Sequence, residues 1–240
     1  MSGIKHSAFS NMQNMALQAR LQQFADSTLP VGSFAFSNGL ESAIQTKIVK
    51  DAASLKQFVE LVLRQTAHMD GIAFLHAHRA YKLDDEATII AADYELWDRR
   101  MGEEQQMMLS RMGKKFAELA IKIDDFPCLH SWLKKIKTGQ TPGCYPVGQA
   151  LALAHLGADE QQAFVIHQYG VATMILSAAV RLMRIDHLQT QRILFEVQER
   201  VEGDYVAIQD LSLDEMSSFA PVFDVLVAHH VKAFVHLFMN

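Results

Sequence analysis

Cysteine is nearly absent. Cys128 and Cys144 are the only two in 240 residues, and they form no C-x-x-C pair. A disulfide framework is therefore not expected, and a reducing, cytoplasmic setting is the simpler reading. Proline and glycine are also scarce, at 5 and 12, which fits an ordinary globular chain rather than a low-complexity one. Positive charge is not in excess: 22 Lys and Arg stand against 27 Asp and Glu, a net of -5. Nothing in that balance points to a nucleic-acid or anionic-membrane partner. The opening MSGIKHSAFSNMQNM lacks the apolar region of a secretory signal, so residues 1–14 are expected to be an unprocessed, poorly ordered start.

The known catalytic signatures are missing too. No E-x-x-H pair occurs, which a di-iron or di-manganese bundle needs so that both ligands leave one helix face. Gly113-Lys114-Lys115 lacks the upstream glycine and the hydroxyl of a nucleotide-phosphate loop. There is no G-x-S-x-G elbow and no H-E-x-x-H zinc site. His76 and His78 are two apart, about 200° around a helix, and cannot chelate together. His229 and His236 share a face with His230 beside them, but no Cys, Asp or Glu stands near to complete a metal shell. Packed or surface histidines are expected, with no cofactor.

What is present is helical periodicity. Leu55, Phe58, Val62, Met69 and Ala73 form an apolar stripe in a long segment opened by Asp51. Leu109, Met112, Phe116, Leu119 and Ile123 form another. Further helices are expected at 85–98, 126–136, 145–156, 187–200 and 221–238, and Ser212 to Glu215 has the capping-box pattern. No alternating strand exceeds four residues. Breaks fall at 29–32, 137–148 and 201–204, none long or polar enough for an interdomain linker. Between Glu160 and Arg181 lie twenty residues without a charged side chain, long enough to span a bilayer. Gln161, Gln162, His167 and Gln168 interrupt them, so the reading is a central apolar core helix and no membrane. The expected fold is all-α: a single-domain multi-helix bundle over residues 15–240.

Two clusters stand out. DSTLPVGSFAFSNGLE, residues 26–41, places Phe34 and Phe36 in a loop between helices, where short connections are usually polar. Pro30 stiffens it, Gly32 and Gly39 allow close backbone approach, and Ser37 or Asn38 could cap the helix carrying Glu41. Phe34 and Gly32 are expected to face the core, Phe36 and Glu41 to face outward. The second cluster sets Arg99, Arg100, Glu103, Glu104, Arg111, Lys114 and Lys115 around methionines 101, 107, 108 and 112. It reads as a solvated charged face over a Met-filled core, with a repacking protein surface as the alternative.

The stretch Asp26-Ser27-x-x-Pro30-x-Gly32-x-Phe34-x-x-Ser37-x-Gly39-Leu40-Glu41 resembles the N-terminal signature of the urease accessory protein F family. Ser110-Arg111-Met112-Gly113, Tyr145-Pro146-Val147-x-x-Ala150, Tyr169, Ser177 to Leu182 and Ser218-Phe219-Ala220-Pro221 with His230 resemble further segments of that family in the same order. The resemblance implies an all-α homodimer that catalyses nothing itself. It would act in nickel insertion into urease, bridging a second accessory protein (D/H type), which contacts apo-urease, and a GTPase (G type) that delivers nickel. It implies partner contacts at Asp26, Ser27, Pro30, Gly32, Phe36, Ser37, Gly39, Glu41, Arg111, Gly113, Tyr169, Arg181 and His230. The chain departs from the family in Phe36, where histidine is common, in Met183-Arg184-Ile185-Asp186-His187, and in the tail from His230 to Phe238. Two other classes remain open on the residues alone. One is a helical enzyme with a small-molecule pocket using Glu41, His68 or Tyr169 as acid–base groups, the other a helical ligand-sensing regulator.

Overall fold

The computed structural model describes residues 15–26, 29–31, 38–100 and 102–217, and among these all regular structure is helical. The order is α1 (15–25), α2 (Leu40–Gln45), α3 (Ala52–Thr66), a π-turn (Ala67–Gly71), α4 (Ile72–Lys82), α5 (Glu86–Asp98), α6 (Glu103–Ile123), α7 (Pro127–Lys137), α8 (Tyr145–Leu156), α9 (Glu160–Leu182), α10 (His187–Val197) and α11 (Val201–Ile208). A 3₁₀ turn at Gln198–Arg200 joins the last two, and another at Leu213–Glu215 follows them.

Aspartates open four of these helices. Asp51, Asp85, Asp159 and Asp186 each accept a hydrogen bond from the backbone N–H three residues on, at 2.8, 3.1, 2.7 and 2.7 Å. Each satisfies a donor that the first helical turn leaves open and places negative charge at the positive end of the helix. Helix α2 starts differently. Its N-cap is Gly39, left-handed at φ 75°, and no side chain among the described residues, Asn38 included, caps it. The expected capping box Ser212–Glu215 forms, with Glu215 Oε2 accepting from the Ser212 N–H (2.8 Å) and Oγ (3.0 Å), but it opens only a single 3₁₀ turn.

The apolar side chains gather into two cores. The larger joins α1, α4 to α8, the first half of α9 and α11; α4 packs most extensively on α8, whose residues from Pro146 to Ala154 are all buried. The smaller joins α2, α3, α10 and the second half of α9. The stripe from Leu55 to Ala73 is buried throughout, but it serves both cores in turn, changing at the π-turn. The stripe on α6 is buried at Leu109, Met112 and Phe116, while Ile123 runs out into solvent.

The break expected at 201–204 is absent. Gln198 to Ile208 continues as 3₁₀ and α-helix despite Gly203. Tertiary packing overrides local preference: Tyr205 and Ile208 enter the larger core, and the Tyr205 hydroxyl donates to Glu160, which Arg79 also clamps at 2.5 and 3.0 Å.

The loop 137–148 joins packed helices, as its composition suggests. Fully buried Asp93 on α5 accepts from Thr141 Oγ1 (2.6 Å) and from the backbone N–H groups of Gly143 (2.9 Å) and Cys144 (2.7 Å). Burial pushes its carboxyl pKa up while these donors pull against it. Helix α6 rests on the same loop, with Ser110 Oγ donating to Pro142 O at 2.6 Å. A Cβ at Gly113 would lie 2.0 Å from Gly143 O.

These contacts set opposite outcomes for two glycines. Gly113→Ala must push α6 off the loop and should destabilise by about 1–3 kcal/mol. Gly203→Ala lies at an exposed position of α11 where a Cβ meets nothing within 4 Å, and should stabilise by about 1 kcal/mol. Urea denaturation of both variants checks the signs; equal destabilisation would contradict this packing.

Candidate functional site

Three segments that carry the family resemblance meet inside the fold. A cavity of about 100 Å³ is lined by Asp26, Leu29, Val31 and Asn38 from the signature stretch, Met112 from α6, and Tyr145 and Pro146 from the start of α8. Phe24, Val62, Leu109 and Met174 extend its apolar wall. The other wall is polar: Gln65 and Thr66 end α3, Asp70 sits on the π-turn, Arg100 follows the end of α5, and Gln149 and His167 come from α8 and α9. The described residues of the signature stretch thus help to wall an interior cavity.

Asp70 and Arg100 form a direct ion pair, their side chains only 12% and 13% exposed. A pair so enclosed is costly to break from one side, because the other charge would be left buried and unpaired. His167 Nδ1 lies 2.9 Å from Gln149 Oε1. The carbonyl accepts, so the proton sits on Nδ1 and Nε2 keeps a lone pair with no partner among the described residues. Burial lowers the His167 pKa to about 4, so the ring is neutral near pH 7. It stacks on Phe74, centroids 5.0 Å apart. The next residue, Gln168, is also buried, and neither polar atom of its amide group has a partner among the described residues. His76 and His78 serve packing, their Nε2 atoms bonded to the carbonyls of Leu211 (2.9 Å) and Ala158 (3.2 Å).

The residues expected to contact partners do not form one patch. Asp26 and Tyr169 share an open groove of about 780 Å³ between α1 and α9, with Val165 exposed beside them. Pro30, Arg111 and Arg181 are exposed. Gly39 is buried at the start of α2, and Gly113 is buried against the 142–145 loop. Glu41 corrects the expectation of an outward side chain: it is 3% exposed, enclosed with α2 beside the smaller core. Ser27, Gly32, Phe34, Phe36, Ser37 and His230 lie outside the described residues. Glu41, His68 and Tyr169, the acid–base trio of the enzyme alternative, do not line the interior cavity.

The charged cluster at 99–115 also divides. Arg111, Lys114 and Lys115 are solvated as expected. Arg100 instead turns inward to Asp70, and Arg99 pairs with Glu95 and donates to Met216 O at 3.3 Å. Sequence reasoning missed Asp70, Arg100 and Gln149 as cavity residues. The one available signal was His167-Gln168 interrupting an apolar helix.

An all-α bundle of this kind, with a cavity walled by both apolar and polar side chains, finds close relatives. The sequence profile of the UreF family matches residues 49–198. Urease accessory protein UreF of Yersinia enterocolitica is 50% identical over 223 residues, covering 92% of this chain and 97% of the relative. The proteins of the same name from Yersinia pseudotuberculosis and Yersinia pestis are 51% identical over the same shares. The chain belongs to the UreF family of urease accessory proteins.

Two measurements probe the chamber. The unfolded chain takes up a proton at a histidine of ordinary pKa 6.5, while folded His167 resists until about 4. Between those values the unfolded state binds more protons, so stability falls as pH falls, by roughly 3 kcal/mol in total from this residue. His167→Gln should remove that share of the slope, leaving the part due to His78, whose pKa burial also lowers. Unchanged pH dependence of the unfolding free energy would contradict a neutral buried ring. Gln168→Met keeps the side chain's length and removes the partnerless amide, so it should raise stability by about 1–3 kcal/mol in denaturant titration.

Proposed function

We propose that this protein is a urease maturation factor that works by assembly rather than catalysis. It bridges a second urease accessory protein of the D/H type and the accessory GTPase that delivers nickel, regulates that GTPase, and through the complex serves apo-urease. The likeness that carries this reading extends over nearly the whole length of relatives named urease accessory protein UreF. The open α1–α9 groove and the exposed Arg111 and Arg181 are compatible with protein contacts. The working form in this reading is a cytoplasmic homodimer, each chain one domain over residues 15–240, without cofactor, nucleic acid or membrane.

The test is reconstitution. Cells carrying urease structural proteins and the other accessory proteins, with and without this chain, are assayed for urease-bound nickel and urea hydrolysis. Both should fall to background when the chain is omitted; undiminished nickel content would sink the reading. Light scattering of the pure protein should give twice 27.0 kDa. Arg111→Glu should weaken capture of the accessory partners roughly 30-fold with little change in melting temperature, as expected of a surface anchor. Full capture by that variant removes Arg111 from the contact set.

A further inference from the structure

The two cores are separated by a layer of buried polar side chains. On α9 the layer is His167 and Gln168, 3% and 4% exposed. Gln65 and Thr66 continue it at the end of α3, Asp70 on the π-turn, and Asp204 on α11. Above it on α9, Ala163, Phe164 and Ile166 belong to the larger core; below it, Ala172, Ile175 and Leu176 belong to the smaller. Apolar surface is what binds one layer of a fold to the next, and here it is interrupted. Gln168 Nε2 and Oε1 and His167 Nε2 gain no hydrogen bond across the seam among the described residues.

Among the described residues the chain crosses this level at three places, and each is a weak point in a helix. Between α3 and α4 the crossing is the π-turn Ala67–Gly71, where i→i+5 bonding replaces the regular ladder. On α9 it is Gly170, half-buried, with nothing within 4 Å of where a Cβ would stand. Between α10 and α11 it is the 3₁₀ turn Gln198–Arg200. Helices α2, α3 and α10 pack on one another or on α9, and none of them packs extensively on α4 to α8. The Lys56–Glu196 ion pair, 2.7 Å, ties α3 to α10 within the same unit.

We infer that α2, α3, α10 and the second half of α9 (171–182) form a sub-bundle that opens as a unit along this polar seam while the larger core stays folded. The interior cavity takes its walls from both sides: Val62 and Val171 from the sub-bundle, and Phe24, Leu109 and Tyr145 from the main body. Opening therefore unroofs the cavity without global unfolding. A partner with different affinity for the two states would shift their balance.

Native-state hydrogen exchange on the full chain, over a series of sub-denaturing urea concentrations, tests this. Amides of α3, α10 and 171–182 should converge on one opening, exchanging at least ~10-fold faster than those of α4 and α8. The boundary on α9 should fall between Ile166 and Val171. Ile193→Ala, in the smaller core, should speed exchange of α3 and α10 together and leave α4 and α8 unchanged. Phe126→Ala, in the larger core, should do the reverse. A single common isotherm for all helices, or a boundary on α9 elsewhere, overturns the inference, and the unsubstituted protein alone decides this if either variant fails to fold.

Discussion

A helix of 23 residues is roughly 35 Å long, too long for both ends to bury their apolar faces against one small set of neighbours. Helix α9 meets that constraint by serving two cores, one at each end. The rest of the arrangement follows from it. Helices α3 and α4 form one continuous rod that must also change cores midway, and the π-turn supplies the shift of face at that point. Helices α10 and α11 divide in the same way, with a 3₁₀ turn between them. At the level where all three change over, apolar contact gives way to His167, Gln168, Asp70 and Gln65.

Much of the fold was legible because its signals are local. Asp51 and Asp85 mark helix starts through a bond to a backbone three residues away, and Tyr145 to Leu156 is delimited by Pro146 just inside and Gly157 just beyond. Helix α11 was not legible, because Gly203 and its charged neighbours read as a break. What makes it helical is the distant pull of Glu160 and the larger core on Tyr205 and Ile208. Glu41 misled for a related reason: a carboxylate at the start of a short helix reads as solvated, whereas folding encloses it.

The site divides along the same line. The segment that gives it Asp26, Leu29, Val31 and Asn38 could be recognised through resemblance to a family. Its polar wall could not, because Asp70 and Arg100 are thirty residues apart and each looks ordinary where it stands. Even the adjacent pair Arg99 and Arg100 part company, one to the segment at Met216 and the other to the π-turn. The polar interruption in α9 was noticed as an objection to a membrane span. By length and composition that helix does pass for one, yet 56% of its most apolar window is enclosed by protein. Its polar residues mark the place where two interiors meet.

The anchor at Asp93 has an evolutionary corollary. Two of its donors are main-chain N–H groups, which persist whatever side chains occupy positions 143 and 144. Thr141 adds a side-chain donor at 2.6 Å. Sequence drift in the loop can therefore leave the anchor standing, whereas drift at position 93 removes every bond at once. The tolerance is lopsided: a variable loop would be tethered by a nearly immovable helix residue. Glycine at 143 is the exception on the loop side, held by its left-handed φ of 85° and by Ile136 against its Cα.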